Sequence, residues 1–292
     1  MPKLIERVLP GAALGSSNLA ASRPVRSIRF LFGFAGRWVR LRRALVAIGM
    51  AIVALISSLD AHAADDAAVK GRLGGVAPQF IGQSCIATVV MDINKADWQR
   101  KITMQFWALG GTKFLIRILA PAEDAGTAIL KVGDTTWYYL PKANRTVEML
   151  PSMMLSSWMG SHFTLSDLIS ESTLTDDYTP ATSFEGDRGG APVSEYTLTP
   201  KPDAAVVWGK IVLQIRQADK MPVWQRFYDE DGKLVRELTF SDYKSIGGKL
   251  IPTHLDMQPI EQAPEHTSIT FEKIEFDTPI SPDIFALKNL KQ

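Results

Sequence analysis

The side chains best able to do chemistry are few and scattered. Downstream of the first sixty-odd residues the histidines are His162, His254 and His266, far apart in sequence, and Cys85 is the only cysteine. One thiol makes neither an internal disulfide nor a thiolate metal site, because both need further cysteines or ligands at set spacings. Cys85 also lies too far behind the apolar leader run to accept a lipid anchor, and it reads as a small buried strand residue. Asp176-Asp177 and Asp229-Glu230-Asp231 fall in turn-like segments, where carboxylates hold turns more often than they form an acid/base pair. No G-x-S-x-G, glycine-rich phosphate loop or H-E-x-x-H occurs. The residues therefore point to no catalytic group, no metal and no cofactor.

Two sets stand out for physical rather than reactive reasons. Arg117 interrupts an apolar strand face, and a charge there must be paired or reach water. It is either a snorkelling arginine at the sheet rim or a polar latch holding a helical plug. The second set is soft and apolar: Met149, Met153, Met154 and Met159 with Trp158 and Phe163. Unbranched methionine adapts to variable apolar partners. Such a stripe is either plain core or the wall of a ligand cavity. With Trp107, Phe114, Ile116 and Trp137 on neighbouring strands, these residues are the candidate cavity lining.

The elements that must position them read as β. From Ser84 onward, short β-branched and aromatic runs alternate with turn residues. Gly110-Gly111, Gly133-Asp134, Asp231-Gly232 and Gly247-Gly248 mark hairpins, and strands joined by tight turns are antiparallel neighbours. Residues 84–93, 98–109, 112–120, 127–132, 135–140 and 145–150 form a first series. Residues 193–199, 206–217, 223–229, 234–243, 249–258 and 267–276 form a second. Between the series, 151–170 has helical spacing, with a break at Gly160 and a capping-box match at Thr164–Asp167. Residues 175–188 read as a polar loop, and Ser281-Pro282-Asp283 opens a last helical turn. Phe114, Ile116 and Ile118 point one way while Leu115 and Leu119 point the other, so both sheet faces are covered.

The N-terminal stretch is different. Residues 1–63 carry nine of the 32 Lys and Arg and two of the 31 Asp and Glu, leaving a downstream body with a net charge of about −6. An acidic body argues against nucleic acid, whose phosphates need basic partners. Arg40 to Arg43 is a basic segment, Ala44 to Leu59 an apolar run, and Ala61-His62-Ala63 a small-x-small cleavage site. In this order they make a secretory signal with cleavage near Ala63/Ala64; an uncleaved anchor is the alternative. Arg42-Arg43 leaves general and twin-arginine export both open. The expected organisation is an extension and signal over 1–63 and one domain over 64–292.

Several segments together resemble the outer-membrane lipoprotein-sorting family, the LolA-like periplasmic carriers. They are Phe114 to Pro121, Gly126-Thr127, Trp137 to Lys142, Ser156 to Ser161 with Asp167-Leu168, Pro200 to Pro202, Val207 to Lys210, Tyr228 to Lys233 and Ile251 to Thr253. Those from Ser156 onward fit the family's larger, less studied branch, and the Met/Trp-rich lid segment and the length depart from the best-known carriers. The resemblance implies an open half-barrel of about 10–11 antiparallel strands with short helices as a lid or plug on the concave face. It implies a monomeric, non-enzymatic periplasmic carrier for the acyl chains of a lipoprotein or another lipid. Its contacts with membrane proteins would be transient, an inner-membrane exporter among them. The competing expectation is a periplasmic accessory or stress-sensing module, of a lipid exporter or an anti-sigma system, that binds protein instead.

Overall fold

The computed structural model describes residues 73, 82–169, 173–204 and 206–291. The expected signal sequence and the expected domain start at Ala64 lie outside them. The described chain is mainly β, as the alternation predicts. β1 (Ser84–Asn94), β2 (Gln99–Leu109), β3 (Lys113–Ala120), β4 (Ala128–Val132), β5 (Thr135–Leu140) and β6 (Arg145–Glu148) form one antiparallel meander. β7 (Tyr178–Arg188), β8 (Ala191–Pro200), β9 (Lys210–Arg216), β10 (Pro222–Tyr228), β11 (Leu234–Ile246), β12 (Lys249–Pro259) and β13 (His266–Phe276) form a second. The first and last strands join the halves, pairing Cys85 with Phe276 through Asn94 with His266 across one bulge at Thr88/Val89. The result is a single unclosed sheet of 13 strands in the order β6-β5-β4-β3-β2-β1-β13-β12-β11-β10-β9-β8-β7.

This topology constrains the path of the chain after β6. Strands β6 and β7 are consecutive in sequence but occupy opposite edges. The chain between them must therefore cross one face of the sheet, the inner face. It does so with three short helices: α1 (Pro151–Met154), α2 (Leu165–Ile169) and α3 (Thr173–Asp177). Thr164 and Asp167 form the predicted capping box: Asp167 N–H donates to Thr164 Oγ1 at 3.1 Å, and Thr164 N–H to Asp167 Oδ2 at 2.7 Å. Between α1 and α2 the chain makes a tight reversal, bridging Ser157 to Thr164. Gly160 sits at its tip with φ +79, and a Cβ there would press on the Trp98 ring at 3.2 Å.

The sheet is wider than the 10–11 strands expected, and part of the surplus is β7. Residues 178–188 read as a loop because an edge strand shows most of its side chains to water; only Tyr178 and Pro180 are buried. The hairpin signal was Gly189-Gly190, both at positive φ (+65 and +87). The expected strand over 206–217 begins only at Lys210. A Cβ on Gly209 would lie 2.4 Å from the Asp229 carbonyl oxygen, so the chain enters β9 pressed against the β10–β11 turn.

Each face has its own core. Alternate residues of β3 show the division: Phe114, Ile116 and Ile118 join the large inner cluster with Trp158, Phe163, Leu165 and Ile169 of the crossing segment. Leu115 joins an outer cluster with Ala128, Leu130 and Tyr139. That cluster is covered by Phe285 and Leu290 from two 3-10 turns, Pro282–Phe285 and Leu287–Lys291. The Ser281 hydroxyl accepts from Asp283 N–H at 3.3 Å, starting the predicted C-terminal turn.

Candidate functional site: an apolar cavity under the crossing segment

The inner face is not filled. Between the crossing segment and the sheet lies a cavity of about 630 Å³. Its floor draws one or more residues from most strands: Val89 of β1, Phe106 of β2, Ile116 of β3, Leu213 of β9, Phe227 of β10, Leu238 of β11, Leu255 of β12 and Phe271 of β13. Its roof is Leu155, Phe163 and Leu168, with Leu174 of α3 and the loop residues 206–208 at one side. Among the described residues, the ionic groups lining it are Asp167, Asp176 and Asp177. The Cys85 thiol is buried in the wall, which matches the strand residue expected. Burial, helped by Asp177, pushes the Tyr178 phenol up to about 12, so it stays neutral at the rim.

The roof is pinned at two points. Arg236 on β11 is buried and grips Asp167 with both ends of its guanidinium, at 2.9 and 2.8 Å. It also donates to the His162 carbonyl at 2.9 Å. Its cation stacks on the Trp208 and Phe227 rings at 4.5 and 4.2 Å. The second pin is His162. Its N–H donates to Thr267 Oγ1 at 3.1 Å, its Nε2 lies 2.6 Å from the Lys95 ammonium, and Glu265 closes the cluster at 3.3 Å. Burial holds the His162 imidazole below its ordinary value, Glu265 opposes that, and Lys95 and His266 reinforce it.

Of the ten predicted lining residues, Ile116 and Phe163 line the cavity. Phe114 and Trp158 are buried in the same inner core without reaching the void, and Met149, Met154 and Met159 pack against that core. Met159 also receives the Tyr138 hydroxyl at its sulfur, 3.5 Å away. Met153 is exposed. Trp107 and Trp137 belong to the outer cluster: Trp107 pairs with Leu115 and Trp137 with Leu130, so the pleat turns them away from the cavity.

Arg117 needs a correction. It latches a segment, but not the helical one. Its position alternates with the inner-facing Ile116 and Ile118, so it points outward and donates to the Asn289 carbonyl of the C-terminal turn at 2.8 Å. The arginine that holds the helical lid is Arg236. The same signal marks it in the sequence: a cation in register with Leu238 and Phe240 on an otherwise apolar strand face.

The profile of a family described as "uncharacterized protein" matches residues 110–292, more than half of the chain. The chain belongs to this family. Three solved structures share its fold. A DUF1329 family protein from Desulfovibrio piger has a TM-score of 0.69 at 20% identity, covering 77% of this chain and 99% of its own. A domain assigned to an outer membrane lipoprotein-sorting protein from Vibrio parahaemolyticus has 0.67 at 23%, covering 78% and 97%. A LolA superfamily protein from Nitrosomonas europaea has 0.64 at 20%, covering 75% and 97%. The fold of this family member is thus LolA-like. No curated protein matches its sequence.

Proposed function

We propose that this protein is a periplasmic carrier that shields the acyl chains of a lipoprotein or another lipid, without catalysing a reaction. The observation that carries the proposal is the apolar cavity of about 630 Å³ beneath a pinned, discontinuous roof. If a methylene takes about the ~30 Å³ share of a water molecule, this volume holds roughly twenty such groups, enough for one long chain. At ~0.8 kcal/mol per CH₂, hiding a sixteen-carbon tail from water is worth roughly 12 kcal/mol. Relative to a bilayer the gain is near zero, because lipid tails are equally apolar. Loading and release then depend on the lid and on a donor or acceptor, including an inner-membrane exporter. An unoccupied, opened cavity would expose an apolar patch that soluble proteins avoid, so closure between deliveries is part of the job.

Native mass spectrometry of protein purified from the periplasm tests this directly, and the expected result is co-purified acyl lipid. Leu255→Trp fills the void from a partly buried floor position. It is expected to abolish retention of a fluorescent fatty acid while leaving the β-rich circular dichroism spectrum intact. A wild-type protein that neither co-purifies with lipid nor binds the probe would end the proposal. Capture of a periplasmic protein instead would favour the interaction module.

A further inference from the structure

A second pocket of about 260 Å³ adjoins the cavity at the β7–β9 end of the sheet. The boundary runs between directly paired residues. Tyr196 lines the smaller pocket and its partner Leu213 the larger one; Ile215 lines the smaller and its partner Pro222 the larger. Paired side chains on one face stand about 5 Å apart, so the walls of the two pockets are neighbours at Leu213 and Tyr196. There the chemistry changes. Glu185 lies on one side and Lys220 on the other, with Ser194 and Gln217 between them. The Gln217 amide donates to the Ser194 hydroxyl at 3.2 Å and to the Val193 carbonyl at 3.1 Å, and the hydroxyl reaches Glu185 at 3.5 Å.

The cation on offer is Lys220. The neighbouring Arg216 is engaged by Asp219 through two bonds, at 3.1 and 2.7 Å, and stacks on Tyr243 at 3.8 Å. Among the described residues Lys220 makes no ion pair, and its backbone is held in the left-handed region at φ +62. That conformation belongs to the β9–β10 turn, in which Lys220 N–H donates to the Arg216 carbonyl and Arg216 N–H to that of Met221.

We infer that this pocket is the headgroup subsite of the carrier, and that it takes the zwitterionic phosphoethanolamine head of a glycerophospholipid whose tail lies in the cavity. The inference rests on the carrier reading. The head's phosphate meets the Lys220 ammonium and the polar floor, and its primary ammonium meets the Glu185 carboxylate. The volume suits it: at ~30 Å³ per water-sized group, the pocket holds about eight or nine, the size of phosphate plus ethanolamine. A quaternary choline has no N–H to donate to Glu185, and a glycerol head offers no cation to it.

The mature protein is equilibrated with vesicles of mixed phosphatidylethanolamine, phosphatidylglycerol and phosphatidylcholine, and the bound lipid is extracted and identified by mass. Phosphatidylethanolamine is expected several-fold above its share in the vesicles. Glu185→Gln and Lys220→Gln, both at exposed positions, are each expected to return the bound lipid to the vesicle composition without loss of palmitate binding. No enrichment in the wild type, or enrichment that survives both changes, would overturn the inference while palmitate binding leaves the carrier reading intact. Failure to bind palmitate would overturn the carrier reading itself. Soluble phosphoethanolamine separates a lipid head from a free phosphate ester: it should compete weakly, and binding as tight as that of the whole lipid would show a site independent of the cavity.

Discussion

One segment crosses the inner face and another covers the outer face over β3 to β5, and each meets an arginine set in an apolar strand, yet the two closures differ. On the outer face, Phe285 and Leu290 pack over Leu115, Leu130 and Tyr139, and the Arg117 guanidinium donates to the Asn289 carbonyl among its contacts. On the inner face, the helices leave about 630 Å³ empty, and Arg236 makes a bidentate ion pair, a carbonyl contact and two ring contacts. Where packing is complete, polar contacts supplement it. Where it is incomplete, the cover is held by directional bonds at two points. Apolar packing is lost gradually as a cover shifts, whereas a bidentate pair is either made or broken. The inner cover is built like a door with catches, and the outer one like a sealed wall.

The contrast is broken most strongly at Arg236. Arg236→Met leaves Asp167 without its partner, and removing one member of a buried pair costs roughly 3–5 kcal/mol. Because Asp167 keeps some access to water, the lower end of that range is expected. Amides of 157–169 should exchange much faster in hydrogen-exchange mass spectrometry, whereas those of β1–β3 should keep their protection. Restoring neutrality with Arg236→Met plus Asp167→Asn, which keeps an acceptor for Thr164 N–H, should recover part of the stability. If the single variant leaves 157–169 as protected as in the wild type, Arg236 is not the catch.

Arg117 gives the smaller effect on the opposite face. A hydrogen bond from a charged donor is worth about 1.5–3 kcal/mol, and burial already holds the Arg117 guanidinium below its ordinary value. Arg117→Met should lower the unfolding free energy measured in urea by an amount in that range and loosen 281–291. Retention of a fatty-acid probe should be unchanged, because the outer turns do not touch the cavity. Loss of probe binding would mean that the faces are coupled, contrary to their separate cores.

The sequence made the sheet legible across its interior and at the β6 edge, and hid it at the β7 edge. β1 to β5 and β8 to β13 carry apolar residues at alternate positions, because each must bury at least one face. β7 has neighbours on one side only, and its exposed Thr179, Ser183 and Asp187 look like a loop. The crossing segment was legible through Thr164–Asp167, a local interaction. Most of the cavity lining was not. Which of several Met and Trp side chains touch a void depends on strand parity and on contacts between residues far apart in sequence, such as Arg236 with Asp167. Trp107 and Trp137 show the limit: their size suits a pocket, but their place in the pleat faces them outward.

The smallest effect is the most specific to the inner cover, and it depends on pH. His162 is almost wholly enclosed, with 6% of its side chain exposed, and it faces Lys95, Glu265, His266 and the Arg236 guanidinium. Its folded value lies below the ordinary one of about 6.5, so the closed lid binds fewer protons than the opened lid. Closure then weakens as pH falls below about 6.5 and is fully supported above it. Physically, a proton on Nε2 removes the acceptor for Lys95 and sets two cations side by side, which the single Glu265 carboxylate only partly offsets. Between pH 7.5 and 5.5, release of a fluorescent fatty acid should accelerate in the wild type. His162→Gln keeps a polar side chain that does not titrate, so its release should be nearly flat across the same window. A slope that persists in the variant would place the proton elsewhere, and the second catch would then be a passive contact rather than a pH-sensitive one.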